Sequence, residues 1–172
     1  MKGLIAANGA AAHAYSAVSG MSGGGVNTAI LGSFPVGEEN AAADRIIKFW
    51  QDASNTRLYK DWSGGVAQGL IMEGGLYDPQ LLSDFLLAEM SDIGAQQRFV
   101  DIGLTNALSG NYDDMLADDV DAHLQDIMVA SFAYAGFFPP AVSMGSSWFD
   151  GTTIYDIDVY SAVNQCLLTH AS

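Results

Sequence analysis

Residues 15–32 read YSAVSGMSGGGVNTAILG: a short apolar stretch, a serine held among glycines, and a second apolar stretch. The first part, Tyr15 to Ser19, is short and alternating and suits a buried strand. From Val26 to Gly32 the Ala, Ile and Leu residues fall at helical spacing, so the glycines sit at a turn between strand and helix. Within that turn Gly20-Met21-Ser22-Gly23-Gly24 has the spacing G-x-S-x-G. A serine at a tight strand-to-helix turn needs minimal side chains two positions to either side, which Gly20 and Gly24 supply. The amide of Gly23 and the N-terminus of the following helix would then face developing negative charge. With 19 glycines in the chain, the bare pattern arises by chance about 0.2 times. Two readings therefore stand beside each other, an activated serine and a structural glycine turn.

Working outward, the Ala-rich residues 2–12 suit a helix before the strand. Beyond the elbow, GSFPVGEEN is turn-rich, and Asn40 is placed to cap a helix over AAADRIIKFWQDAS, with Ile46, Ile47, Trp50 and Ala53 on one face. Residues 61–77 contain five glycines and read as a long loop. Asp78 followed by Pro79 opens a helix whose Leu81, Leu82, Phe85, Leu86 and Met90 face inward. RFVDIGLTNAL at 98–108 alternates as a strand does, and SGNYDD ends it with turn chemistry. A helix is expected from Asp121 to Ala133, then SSWFDG and TTIYDID as two short strands across Asp-Gly, then a helix from Val159 to Leu168. Strands alternating with helices predict an α/β layered fold, in one domain spanning 1–172 and without internal repeats.

Composition narrows the classes of function. The chain has 172 residues, 49% of them hydrophobic, enough for a sizeable core. Its six Lys and Arg residues stand against 20 Asp and Glu, a net charge of −14, which excludes nucleic acid as a partner. The same field repels anionic membrane surfaces, so any peripheral membrane contact must be apolar or made with neutral lipid. Polar residues and glycines interrupt every run before it nears the roughly 18 apolar residues of a spanning helix. The opening MKGLIAANGAAAHAY has one lysine and a short apolar segment broken by Asn8 and Gly9, a poor match to a signal peptide. Cys166 alone forms no intrachain disulfide and fits a reducing, cytoplasmic location. NYDDMLADDVDAH places Asp119 and Asp121 at alternate positions but lacks the glycine and terminal glutamate of a calcium loop, and reads as a solvated acidic segment. No phosphate loop, zinc spacing or dinucleotide fingerprint is present, and no cofactor or metal is expected.

A serine nucleophile needs a base. The histidines are His13, His123 and His170. His170 keeps the order Ser…Asp…His with Asp150 or Asp156 between, but a single strand before Ser22 is too few for an α/β-hydrolase elbow.

In two separated places the chain resembles the patatin-like phospholipase family. YSAVSGMSGGGVNTAILG is similar to that family's strand, elbow and helix. DIMVASFAYAGFFPPAVSMGSSWFDGTTIYDID is similar to its later signature, with Ala130-Ser131, Phe138-Pro139-Pro140 and the pair Asp150-Gly151. The resemblance implies a mostly parallel central sheet flanked by helices and a lipid acyl hydrolase acting on carboxylic esters. It also implies a Ser-Asp dyad, with Ser22 as nucleophile and Asp150 as the base, half-buried beside Trp148 and Phe149 so that its pKa rises. Read without the resemblance, Asp150-Gly151 is a hairpin turn. Phe34, Phe137 and Phe138 are candidates to line an acyl groove, or else they are core. Three departures are visible: nothing matches the family's glycine-rich oxyanion loop before the elbow, Thr152 stands where the family has glycine, and little chain follows Asp150. These predict a partial domain with open sheet edges. The alternative they raise is an inactive member that binds acyl chains or another protein.

Overall fold

The computed structural model describes residues 1–170, with side chains through residue 168, so His170 as a base lies outside the described side chains. The chain opens with helix α1 (Lys2–Asn8) and a tight helical turn at Ala10–His13 before strand β1 (Ala17–Gly20). Helix α2 (Gly23–Gly32) follows the elbow, then α3 (Glu39–Ser54). Strands β2 (Lys60–Asp61) and β3 (Tyr77–Asp78) pair as a small antiparallel ribbon. Between them, the segment expected as a loop winds into a short helix α4 (Gly65–Gln68) and a wide turn at Gly69–Glu73. Helix α5 (Gln80–Glu89) starts as Asp78 and Pro79 predict, with Asp78 Oδ1 accepting from the Gln80 amide at 2.9 Å. Strand β4 (Phe99–Asn106), strand β5 (Tyr112–Leu116), helix α6 (Ala117–Ser131), strands β6 (Ala141–Ser143) and β7 (Ser146–Asp150), and helix α7 (Tyr160–His170) complete the order.

The α/β layers are those the sequence implies, and the main sheet is mixed. β1 and β4 run parallel, whereas β5 and β7 pair with β4, and β6 with β7, antiparallel. Parallel pairing is thus confined to the elbow strand and its neighbour; the short connections at 107–111 and 144–145 make β4–β5 and β6–β7 antiparallel. Asp101 and Ile102 pair with both β1 and β5, and Leu104 and Thr105 with both β5 and β7. A strand has two edges, so β1 and β7 must share the edge of β4 opposite β5. They run toward each other along it and end near Gly103.

Alternation along β4 assigns the two faces. Val100, Ile102 and Leu104 are wholly buried in the main core, with Val26, Ala29 and Ile30 of α2 and Ile127 and Met128 of α6. Asp101, Gly103 and Thr105 point to the opposite face, which α7 covers.

Several local expectations change. Helix α3 begins at Glu39, one residue before the expected Asn40 cap, because the Glu39 carboxylate turns inward onto Arg98, Nη1 to Oε1 2.9 Å, with both side chains almost fully buried. Its inward face carries Ala42, Ala43, Phe49 and Ala53, while Ile47 and Trp50 are exposed. YDDML, expected to be solvated, is strand β5, with Met115 on the core face. The hairpin lies at Met144-Gly145, both with positive φ, and not at Asp150-Gly151; residues 151–153 form a helical turn in place of a second strand.

Candidate active site

The elbow forms as its sequence dictates. Ser22 caps α2 with φ 55° and ψ −134°, a backbone position strained for any residue with a side chain. Gly20 is obligatory there: a Cβ would lie 2.6 Å from the Gly24 carbonyl oxygen and 2.7 Å from Thr28 Oγ1. Gly24 differs from expectation, since a Cβ on it meets nothing within 4 Å. The tight contact belongs to Gly25, which packs on Ser131 and Ile102. Gly23 is roofed by the Trp50 ring, which is held in place by Nε1 donating to Asn27 Oδ1 at 2.8 Å. As first-turn residues of α2, Gly23 and Gly24 have no intrahelical acceptor for their amides.

Because β1 and β7 converge on Gly103, the residues that end them meet. Asp150 pairs with Leu104 in the register and so projects onto the core face, where α2 begins. It is 1% exposed. The Asp150 amide donates to Ala133 O at 3.1 Å, and Oδ1 accepts from the Thr152 amide at 2.9 Å. The Ser22 side chain lies close enough to the same carboxyl to favour its charged form. Burial pushes the Asp150 pKa up, and the hydrogen bonds from Thr152 and Ser22 only partly offset that rise. Gly151 is required next to it, since a Cβ would lie 2.4 Å from the Gly103 carbonyl oxygen. Behind the elbow, Ser131 Oγ donates to Ser22 O at 3.4 Å, tying the end of α6 to the serine.

Ser22, Gly20, Gly23 and Asp150 are thus brought together. Phe34 is not: it follows the C-terminal end of α2, ten residues or about 15 Å along the helix, and its carbonyl accepts from Arg98. Phe138 packs against the main core, and Phe137 is half-exposed in a ring cluster with Tyr77 and Tyr134. His13 bonds Tyr15 at the far end of β1, and His123 lies in the N-terminal half of α6, more than two turns from Ser131. Neither histidine is placed with Ser22.

Beside the elbow runs a groove of about 670 Å³ that the sequence does not announce. Gly24 opens onto it, and Val18, Leu31, Ile46, Ile47 and Val163 form its walls. It follows the edge of β1 that faces away from β4. Its residues come from the start of α1, from β1, α2 and α3, and from the chain around α7, so no linear motif marks it.

A layered α/β fold with a strand–serine–helix elbow and a buried aspartate facing the serine defines a class of serine hydrolase-like proteins. A family model described as patatin-like phospholipase matches residues 1–163, and the chain belongs to that family, one of lipid acyl hydrolases. A comparison with curated proteins gives no match. Among the described residues, no helix is long and apolar enough to cross a membrane.

Proposed function

We propose that this chain hydrolyses carboxylic esters of lipids, phospholipids or neutral lipids, through an acyl-Ser22 intermediate with Asp150 as the base. The observation that carries this reading is the meeting of a strained serine with a buried aspartate at the converging ends of β1 and β7. Asp150 accepts the hydroxyl proton as Ser22 Oγ attacks the ester carbonyl, and the oxyanion forms against the Gly23 amide and the positive end of α2. The tetrahedral adduct then collapses, and the proton passes from Asp150 to the departing alcohol. Water, deprotonated by the same carboxylate, releases the fatty acid and frees the serine. The apolar groove beside Gly24 takes the acyl chain, in place of Phe34, Phe137 and Phe138.

The groove also favours a second reading, an acyl-chain binding protein without turnover, because its apolar walls do not depend on the dyad. Hydrolysis of p-nitrophenyl esters of increasing chain length separates the two. Hydrolysis should fall to background in Ser22→Ala and by about 10²–10⁴-fold in Asp150→Asn. A folded chain that binds a fluorescent fatty acid but turns over no ester supports the second reading, and activity that survives Ser22→Ala refutes the first.

A further inference from the structure

The face of the sheet under α7 carries acids where an apolar layer is usual. In the register, Ser19 lies opposite Asp101, Asp114 opposite Gly103, and Tyr112 opposite Thr105, all on that face. Asp158, just before α7, closes over them. One carboxylate oxygen from each of Asp101, Asp114 and Asp158 lies within 4.8 Å of the others. Among the described residues, no Lys or Arg forms an ion pair with any of the three.

Acidic clusters are common without a ligand, and here a wholly buried carboxylate oxygen without a hydrogen-bond partner belongs to the cluster. Asp101 is 99% buried (1% exposed) at the centre of the sheet, and its Oδ1 has no hydrogen-bond partner. The Asp158 Oδ2 and the Tyr112 hydroxyl are likewise inaccessible, and apart from each other neither has a partner. The Tyr112 hydroxyl lies over Gly103, where a Cβ would stand 1.7 Å from it, which brings the ring tip to the acids. Buried polar atoms without partners are rare, and a missing ion is one of their recognised causes. Three carboxylates within 4.8 Å of one another, with no cation paired to any of them among the described residues, repel one another when ionised.

We propose that Asp101, Asp114 and Asp158 hold a hard divalent cation of calcium's size, with the Tyr112 hydroxyl beside it. The donors are all oxygen, as calcium prefers, and calcium–oxygen distances of about 2.3–2.6 Å let ligands across one ion stand about 4.6–5.2 Å apart. The acids come from β4, β5 and the start of α7, so the site has no linear calcium-loop signature. Asp158 also caps α7, its Oδ1 accepting from the Ser161 amide at 3.2 Å while its carbonyl accepts from Ser19 Oγ. The ion therefore fastens the start of α7 to the sheet, and with it the groove wall that Val159 and Val163 form. This inference does not depend on the dyad.

The test uses the full chain, stripped with chelator and dialysed, titrated with CaCl2 by calorimetry and by thermal unfolding. One saturable equivalent and a rise in Tm are expected for the wild type. Asp158→Asn keeps a capping side chain and should fold, yet bind at least tenfold more weakly; Asp101→Asn should do the same, and Asp119→Asn should bind as the wild type does. No saturable heat and no Tm change up to about 10 mM CaCl2, beyond the weakest protein calcium sites, overturns the proposal. So does binding that is unchanged in Asp158→Asn, which assigns the heat to the chain's general negative charge.

Discussion

The two outer glycines of the elbow should respond in opposite ways to the same methyl group. In Gly20→Ala the added Cβ stands 2.6 Å from the Gly24 carbonyl oxygen, 2.7 Å from its carbon and 2.7 Å from Thr28 Oγ1. Comfortable contact needs about 3.5 Å, so the first turn of α2 must move by roughly 0.9 Å relative to β1. Overpacking of this kind costs about 1–3 kcal/mol. The same movement carries Ser22 away from Asp150, and a displacement near 1 Å costs about a hundredfold in rate. In Gly24→Ala the methyl group enters open space on a helical backbone, and the stiffer unfolded chain should stabilise the protein by about 0.4–1 kcal/mol. Urea unfolding measures the first quantity, and the rate of reaction with a fluorophosphonate at matched folded fraction measures the second. Equal damage from both substitutions, or a Gly20→Ala protein that folds and reacts as the wild type does, would refute the packing argument.

Other outcomes follow from other parts of the molecule. Arg98→Met strands the buried Glu39 carboxylate and should cost about 3–5 kcal/mol in urea unfolding. Burial opposes the Glu39 charge, but hydrogen bonds from Arg98 and from the backbone of Glu39 and Gly37 outweigh it and hold its pKa below the ordinary value. Asp150 has a folded pKa above its unfolded value, so the folded state binds the extra proton. Its contribution to stability is therefore present at low pH and is lost as pH rises through the folded pKa. Ester hydrolysis should move the other way, rising with pH as the carboxylate ionises, and a rate that falls across that range contradicts the assignment of Asp150 as base. Ile47→Asp places a charge in the apolar groove and should raise KM at least tenfold for long-chain esters while leaving acetyl esters unchanged; equal effects on both would show that the chain lies elsewhere.

The elbow was legible because its constraints are local. A strand, a strained serine and a helix leave their marks within eighteen consecutive residues, and Gly20 is where the backbone demands it. Asp150 was legible only through its resemblance, since nothing in SSWFDG alone distinguishes a buried carboxylate from a turn. Its burial comes from pairing with Leu104, a long-range contact. β5 is hidden for a related reason: Tyr112 and Asp114 point to the polar face of the sheet, and only Met115 of YDDML is buried, so a strand reads as a solvated acidic run. Trp50 and Ile47 fitted a helical stripe, yet they face the elbow and the groove and not the core. Phe34 lies only two residues beyond α2 in sequence, but the helix carries it to the end away from Ser22. The Arg98–Glu39 pair left no pattern because 59 residues separate its partners.

Mapping the site of fluorophosphonate reaction by mass spectrometry in the wild-type chain, in Asp150→Asn and in a heat-unfolded control tests the Ser22–Asp150 dyad most directly. An adduct is expected on Ser22 of the folded wild type, slowed by at least a hundredfold in Asp150→Asn and missing from the unfolded chain. A folded wild-type chain that forms no adduct, or an adduct on Ser22 that is indifferent to Asp150, would contradict the dyad.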